Sequence, residues 1–366
     1  MLHSDTRLSE LVKQSYTADI KCEILNSELA VLQELDIEDG QVSTDRDSDT
    51  RTTARFTLAD PDLALSTADV DDLLHPLSGN YIRAYRQGVL LGTFVTGRYE
   101  VQESHDDFRI QLRAYDISHA VQRNKFSEHW EVDIGTPYTK AIKDIIKDVR
   151  PDARFIFPQL EYVTPRLHFG ESESDSDRWG ACLEMAESFG YHLYYNENGI
   201  LVLKREPSIE RATVEWTFEE GEYNILTEAD KTVDDTDIYN VVVVTGENTD
   251  NDEPVVSIVK DENPSSPTYV NGPVGEIPYF LNSQYITSED QAKELAEARL
   301  RQVAGVPEEI SIECVPHPGL KADSVVEIKS SKAKIEGKYL VESSTLPLEY
   351  GRPMQLTMKS KRVENG

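Results

Sequence analysis

Apolar and polar positions alternate through the first third of the chain. Ala54, Phe56 and Leu58 share one side of a period of two, and Phe108, Ile110, Leu112 and Ala114 alternate with Arg109, Gln111 and Arg113. A period of two sets one strand face on a core and the other in water, so Tyr16 to Ser118 is expected to form half-buried antiparallel strands. A short amphipathic helix is expected before them, around Leu8, Leu11 and Val12.

From about Ser118 the period becomes helical. Gly135-Thr136-Pro137 offers an N-cap and a proline for the first turn, Ala141, Ile142, Ile145, Ile146 and Val149 form a stripe, and Arg150-Pro151 stops it. A second helix follows the acidic run 171–177, with Trp179, Cys182, Leu183, Ala186 and Phe189 on one face and Gly190 at its end. Tyr191 to Leu203 then reads as a hairpin whose Asn198-Gly199 pair would take the two positive φ angles of a tight turn. Further on come Tyr239-Asn240, the apolar run Val241 to Val244, and a loop rich in proline, glycine and asparagine over 246–281. Ser288 opens a helix with Gln291 in capping-box position, striped by Ala292, Leu295, Ala296, Leu300 and Val303 and closed by Gly305. Strands return from Ile310 to the end.

The first and third regions carry a weak near-repeat. Ala54 to Leu58, Pro61, Leu77, Gly79-Asn80, Tyr81 to Tyr85 and Gly92-Thr93-Phe94-Val95 are echoed in order by Ile310 to Ile312, Pro316, Leu320, Ala322-Asp323, Val325 to Ile328 and Gly337-Lys338-Tyr339-Leu340. Each copy ends in an alternating arm, Phe108 to Ala114 and Met354 to Met358. Any two antiparallel barrels share some strand-turn-strand grammar, so the echo alone leaves duplication and coincidence both open. The expected fold class is α+β, mainly β: antiparallel β-barrel domains over 1–118 and 223–366, the latter with the loop insertion 246–281, flanking an α/β domain of two helices and a hairpin over 119–222.

Composition narrows the function classes. Apolar residues at 39% and charged residues at 28% are ordinary for a folded protein, and 366 residues suffice for two to four compact units. The formal net charge of −30 argues against a wrapped nucleic-acid partner, because phosphate binding needs clustered lysine and arginine. It suits a wall past which DNA slides, and equally a surface that stays soluble in a high-salt host. Cys22, Cys182 and Cys314 stand far apart, which predicts neither a disulfide framework nor a zinc site, and assembly in a reducing compartment. The start, MLHSDTRLSELVKQ, lacks an apolar core, so no signal peptide and no stable membrane association are expected.

Candidate chemistry is sparse. Asp45, Asp47 and Asp49 resemble the opening of a calcium loop, but Thr50 and Phe56 stand where such a loop needs glycine and glutamate, which favours a polar turn. Glu171, Glu173, Asp175 and Asp177 could gather a cation, although acids before a helix more often cap it. H-E-x-x-H, G-x-S-x-G, P-loop and G-x-G-x-x-G patterns are missing, and Trp130, Trp179 and Trp216 read as core or interface residues. No catalytic, metal or cofactor residue is assigned.

Several short runs carry a family resemblance in their order and spacing: Asp39-Gly40-Gln41-Val42 with Asp45 and Arg51, Thr57 to Pro61, Leu91 to Phe94, Gly135-Thr136-Pro137, Asp177-Arg178-Trp179 with Ala186 and Phe189-Gly190, Tyr239 to Val243, and Pro264 to Thr268. Taken together, the chain resembles the minor tail or tail-hub proteins of long-tailed viruses, relatives of the central baseplate hub. It departs from them where hub proteins have glycine before an aspartate, since Ala322 precedes Asp323 here. The resemblance implies a non-enzymatic homotrimer with two tube-fold barrels per chain, so that three chains present six similar domains. It further implies, as partners, the tail tube or distal tail protein, the tape-measure protein, and tip or fibre proteins. DNA would pass through the lumen without specific binding, in a virion tail tip assembled in the host cytoplasm. The segments expected to build the ring are those around Phe94 and Tyr99, Phe108, Ile110 and Leu112, Tyr339 and Val341, and Met354, Leu356 and Met358. Alternatives are a tail-associated envelope hydrolase and a receptor- or glycan-binding tail protein.

Overall fold

A computed structural model describes residues 19–361, except 60–62, 64–71, 106–107, 174, 210, 220–225, 234, 236–237 and 247–253. The expected helix around Leu8 and the motif residues Asp60 and Pro61 lie outside the described residues.

The chain opens with seven strands, β1 (Ile20–Leu25), β2 (Val31–Leu35), β3 (Ile37–Asp45), β4 (Thr52–Leu58), β5 (Tyr81–Arg86), β6 (Val89–Glu103) and β7 (Phe108–Asp116). Helix α1 (Ser118–Arg123), β8 (Trp130–Val132), α2 (Tyr138–Val149), β9 (Phe155–Ile156), β10 (Leu167–Phe169), α3 (Arg178–Glu187), β11 (Tyr191–Tyr195) and β12 (Leu201–Arg205) follow. Then come β13 (Trp216–Glu219), β14 (Leu226–Val233), β15 (Val241–Gly246), β16 (Val255–Lys260), β17 (Pro278–Ser283) and α4 (Glu289–Val303). Four strands complete the described chain, β18 (Pro307–Cys314), β19 (Val325–Ser330), β20 (Ile335–Pro347) and β21 (Met354–Lys361). The mainly β, α+β class read from the sequence is the class observed.

The two β-regions share one continuous 13-stranded sheet, in which β14-β18-β21-β20 runs on into β3-β4-β7-β6-β5-β1-β2, with β19 on β20 and β13 on β19. One apolar core underlies both regions and joins Val42, Phe56, Phe94 and Leu112 to Ile312, Tyr339, Val341 and Leu356.

Five strands of each region pair in the same order, β3-β4-β7-β6-β5 and β14-β18-β21-β20-β19. Gly40, Phe56, Leu112 and Tyr99 stand opposite one another across the first set, as Ala229, Ile312, Leu356 and Ser344 do across the second. Two ladder irregularities recur at matching places. One separates Ile37 from Asp39 and Leu226 from Glu228, ending one residue before the shared row. The other separates Thr96 from Arg98 and Val341 from Ser343, again one residue before it. A bulge adds local twist and must sit where the curvature is needed, so coincident bulges are stronger evidence of duplication than strand count. Phe94, opposite Ile82, matches Tyr339, opposite Val326.

The middle region builds a second core from α1, α2, α3 and β8 to β12, centred on Tyr138, Ile142, Ile146, Trp179 and Met185. Pro137 is the residue before α2, at φ −56° and ψ 133°, and not its first helical residue; extended ψ at this proline delays the helix by one position. The β11–β12 turn also differs from expectation. Only Gly199 has positive φ, at 69°, because the Asn196 side chain accepts the Asn198 and Ile200 amides and the Gly199 amide closes on the Asn196 carbonyl. An Asx turn thus replaces the two-residue connection.

Residues 246–281, expected to be a loop, carry β16 and most of β17, which flank β15 in a small mixed sheet covered by α4. Proline and glycine cluster between these strands, in the turns, and the short strands Val255–Lys260 and Pro278–Ser283 are easily lost in such a composition.

Candidate functional site: the seam between the two β-regions

Strands β3 and β20 join the repeated units antiparallel, from Ser343 opposite Asp45 to Pro347 opposite Gln41. Backbone bonds extend the seam at both ends, from the Arg46 amide to the Glu342 carbonyl at 3.0 Å and from the Leu348 amide to the Gly40 carbonyl at 2.8 Å. On one face the hydroxyls of Thr44 and Ser344 lie 2.8 Å apart, and on the other those of Ser43 and Thr345 lie 3.2 Å apart. Leu346 and Val42, directly opposite, are both buried. Gly40 is required because a Cβ there would come within 2.5 Å of the Arg55 carbonyl. Arg86, buried, donates to the Pro347 carbonyl.

Beside the seam, charges from three regions converge. The Arg51 guanidinium donates to the Asp323 carboxylate and to the Ala322 carbonyl, each at 2.9 Å, and stacks 3.9 Å from the centre of the Tyr194 ring. Arg46 pairs with Glu206 at 2.9 Å, lies 3.9 Å from Asp323, and donates to Nε2 of His192 at 3.2 Å. Burial would raise the Asp323 carboxyl, but Arg51 and Arg46 outweigh it and hold the group below the usual aspartate range. Burial and the neighbouring Arg46 push His192 below its ordinary value. It is therefore the neutral ring that accepts from the arginine. Asp323 sits at φ 71°, a left-handed position that aspartate tolerates. Ala322, where the resemblance would place glycine, is not among the positive-φ residues; the left-handed backbone falls on Asp323, whose carboxylate meets the arginines.

The segments expected to build a ring lie mainly inside the chain. Phe94, Ile110, Leu112, Tyr339, Val341, Met354, Leu356 and Met358 are buried members of the shared core, and Tyr99 and Phe108 pack partly buried against it. These apolar side chains fill the core, and β7 and β21 are paired with neighbouring strands on both sides.

Other motif residues have fixed structural work. Asp177 caps α3 by accepting the Trp179 and Gly180 amides at 3.1 Å, and Asp175 accepts the Glu171 and Ser172 amides. Trp179 is buried, and its indole donates to the Asp49 carbonyl at 2.9 Å, tying α3 to the turn after β3. Asn240, fully buried, accepts the Ile277 amide and donates to the carbonyls of Thr268 and Gly275. Asp261 accepts the hydroxyls of Ser266 and Thr268. The Pro264–Thr268 run is thereby latched from within, which sequence patterning alone did not reveal. Burial pushes the thiols of Cys22 and Cys314 up to about 12, and raises Cys182 further, so none is a ready nucleophile.

Among the described residues, one group has the spacing of a metal site: ligand atoms of His129, Glu131 and His168 lie within 4.8 Å of one another, all exposed, with Glu131 and His168 opposite one another on β8 and β10 and His129 just before β8. Among them too, no helix is long and apolar enough to cross a membrane.

His317 gives the fold an acid-sensitive point. Its ring packs 4.7 Å from Trp216, its Nδ1 accepts the Gly319 amide at 3.2 Å, and burial lowers its pKa from 6.5 to about 4. Above pH 6.5 the ring is neutral in both states. As pH falls toward 4 the unfolded chain takes up a proton that the fold refuses, so stability is lost on acidification, by about 3 kcal/mol. Asp116, raised to about 6 by complete burial against bonds from Ser118 and Thr52, acts in the opposite sense over the same range. Urea melts of the parent and of His317→Asn, which keeps an acceptor for Gly319, should therefore converge near pH 4.5 and separate above pH 6.5; parallel curves would contradict the assignment.

Comparison with known proteins agrees with this architecture. Residues 79–359 match the YQBQ-like family. No curated protein matches the chain. Among solved structures, a tail protein from Neisseria meningitidis MC58 superposes with a TM-score of 0.66 over 95% of this chain and 97% of its own, at 14% identity. The 43 kDa tail protein of prophage MuSo2 from Shewanella oneidensis gives 0.63 over 93% and 98%, at 11% identity. Prophage tail protein gp18 from Listeria monocytogenes EGD-e gives 0.57 over 94% and 95%, at 12% identity. With a family match spanning both copies of the repeat's long strands and a fold shared with phage tail proteins, the chain belongs to the YQBQ-like family.

Proposed function

We propose that the chain is a structural hub subunit of a phage tail. Three copies form a pseudo-six-fold ring at the distal end of the tail tube, with the tube or distal tail protein on one face and tip or fibre proteins on the other. The lumen passes the tape-measure protein and then DNA, which the acidic surface does not retain. The protein is assembled in the host cytoplasm and resides in the virion tail tip, and its role is architectural, without catalysis.

The observation that carries this reading is the five-strand unit present twice with the same pairing order and the same two bulges. A six-fold partner can meet a three-fold one evenly only when each subunit offers two quasi-equivalent units. The shared fold with phage tail proteins supports the setting.

Mass in solution tests it. Chains of net charge −30 repel at low ionic strength, and salt screens that repulsion. Light scattering and native mass spectrometry should find trimers that grow in proportion with protein and salt concentration. A protein that stays monomeric at all salts, alone and with its tail partners, would contradict the ring.

A further inference from the structure

The internal seam specifies the seam between chains. Within one chain, the first strand of one unit, β3, pairs with the long fourth strand of the other, β20, just past the β20 bulge. The matching strands are β14 and β6. Among the described residues β14 pairs only with β18 and ends the sheet path, and β6 beyond its bulge pairs only with β7. The chain thus carries one made seam and the two separate halves of a second.

We propose that β14 of one copy pairs antiparallel with the β6 edge of the next, in the register that β3 and β20 already use. Transferring that register through the matched rows places Tyr99 opposite Val233, Glu100 opposite Thr232, Val101 opposite Lys231 and Gln102 opposite Asp230. These replace Ser344–Thr44, Thr345–Ser43, Leu346–Val42 and Pro347–Gln41 of the internal seam. The occupant is a second copy of this chain, and the inference rests on the ring reading above.

Exposure supports the assignment. Leu346 is 4% exposed in the made seam, whereas its counterpart Val101 is 45% exposed. Val233, the counterpart of buried Thr44, is 58% exposed. The hydroxyl pair Thr44–Ser344 thereby becomes the apolar pair Val233–Tyr99, and the Lys231 stem can lie over Val101. Open edges bearing exposed valines invite pairing, and a head-to-tail contact of this kind generates a ring when its rotation closes after three copies. The two seams differ in side chains, so a β3 edge does not substitute for β14.

Cysteine pairing tests both contact and register. Full-length Glu100→Cys and Thr232→Cys proteins, differently tagged, are co-expressed and mildly oxidised; the native Cys22, Cys182 and Cys314 are buried and give little background. A reducible link should form between the two tags, with neither variant linking to itself. The off-register combination of Glu100→Cys with Asp230→Cys should lose the link, because diagonal neighbours about 7–8 Å apart exceed disulfide reach. A Val101→Asp variant should retain its fold, by far- and near-ultraviolet circular dichroism, and lose trimers. Equal linking in both combinations, or self-linking of one variant, would overturn the register. No linking in a protein that light scattering finds trimeric would overturn the edge assignment and leave the ring standing; no linking in a protein that stays monomeric at all salts, alone and with its tail partners, would overturn both.

Discussion

Arg51→Ala should lower the unfolding free energy by roughly 3 kcal/mol, toward the low end of the 3–5 kcal/mol typical of breaking a buried ion pair. The substitution removes a bond to Asp323, a bond to the Ala322 carbonyl and the contact with Tyr194. What remains is a buried carboxylate whose nearest cation, Arg46, is 3.9 Å away. That residual partner is the reason for placing the effect at the low end. Urea unfolding of Arg51→Ala, Asp323→Asn and the double variant separates the parts. Each single change strands a buried group, so the double variant should lose less than the sum, with a coupling of about 1–3 kcal/mol. A loss under about 1 kcal/mol for Arg51→Ala would mean that solvent reaches the cluster and screens it.

Phe94→Ala and Tyr339→Ala should each cost about 3–5 kcal/mol, the usual range for emptying a buried aromatic site. Phe94 is fully buried with its ring edge-on to Phe56 at 6.2 Å, and Tyr339 is 2% exposed at the matching place in the second unit. Were these residues ring contacts only, the monomer would be indifferent to their loss and only trimer formation would suffer. Thermal and urea melts under monomeric conditions decide between the two roles. Similar losses at both positions are expected of duplicated units that share one core, and a large effect at one with none at the other would count against their equivalence.

Much of the fold was legible because its units announce themselves locally. The alternation in Phe108 to Ala114 and in Met354 to Met358 marked the strand after each bulge, and the stripes of α2 and α4 marked the helices. The near-repeat was legible in strand order, since Phe94 and Tyr339 do fall at matching places. What the sequence could not display is pairing between distant segments. The seam joins Asp45 to Ser343, and no local pattern encodes such a partner. The charge cluster is similarly non-local: Arg51, Asp323, His192 and Glu206 become a site only after three regions converge. A chain with 67 acidic residues offers too many candidate pairs to single out Asp323. The apolar ring candidates were found as strands but belong to the interior, because alternation reveals that a face is covered without saying by what.

The seam formed within a single chain also has a kinetic meaning. Joining six separate units would require each to surrender translational and rotational freedom, whereas in the proposed ring three chains that arrive with one junction already formed make fewer costly encounters. Inside the chain, β3 meets β20 at an effective concentration fixed by tethering, independent of dilution. Disassembly of the proposed ring on dilution should therefore stop at intact single chains, with the internal junction surviving as the reusable part.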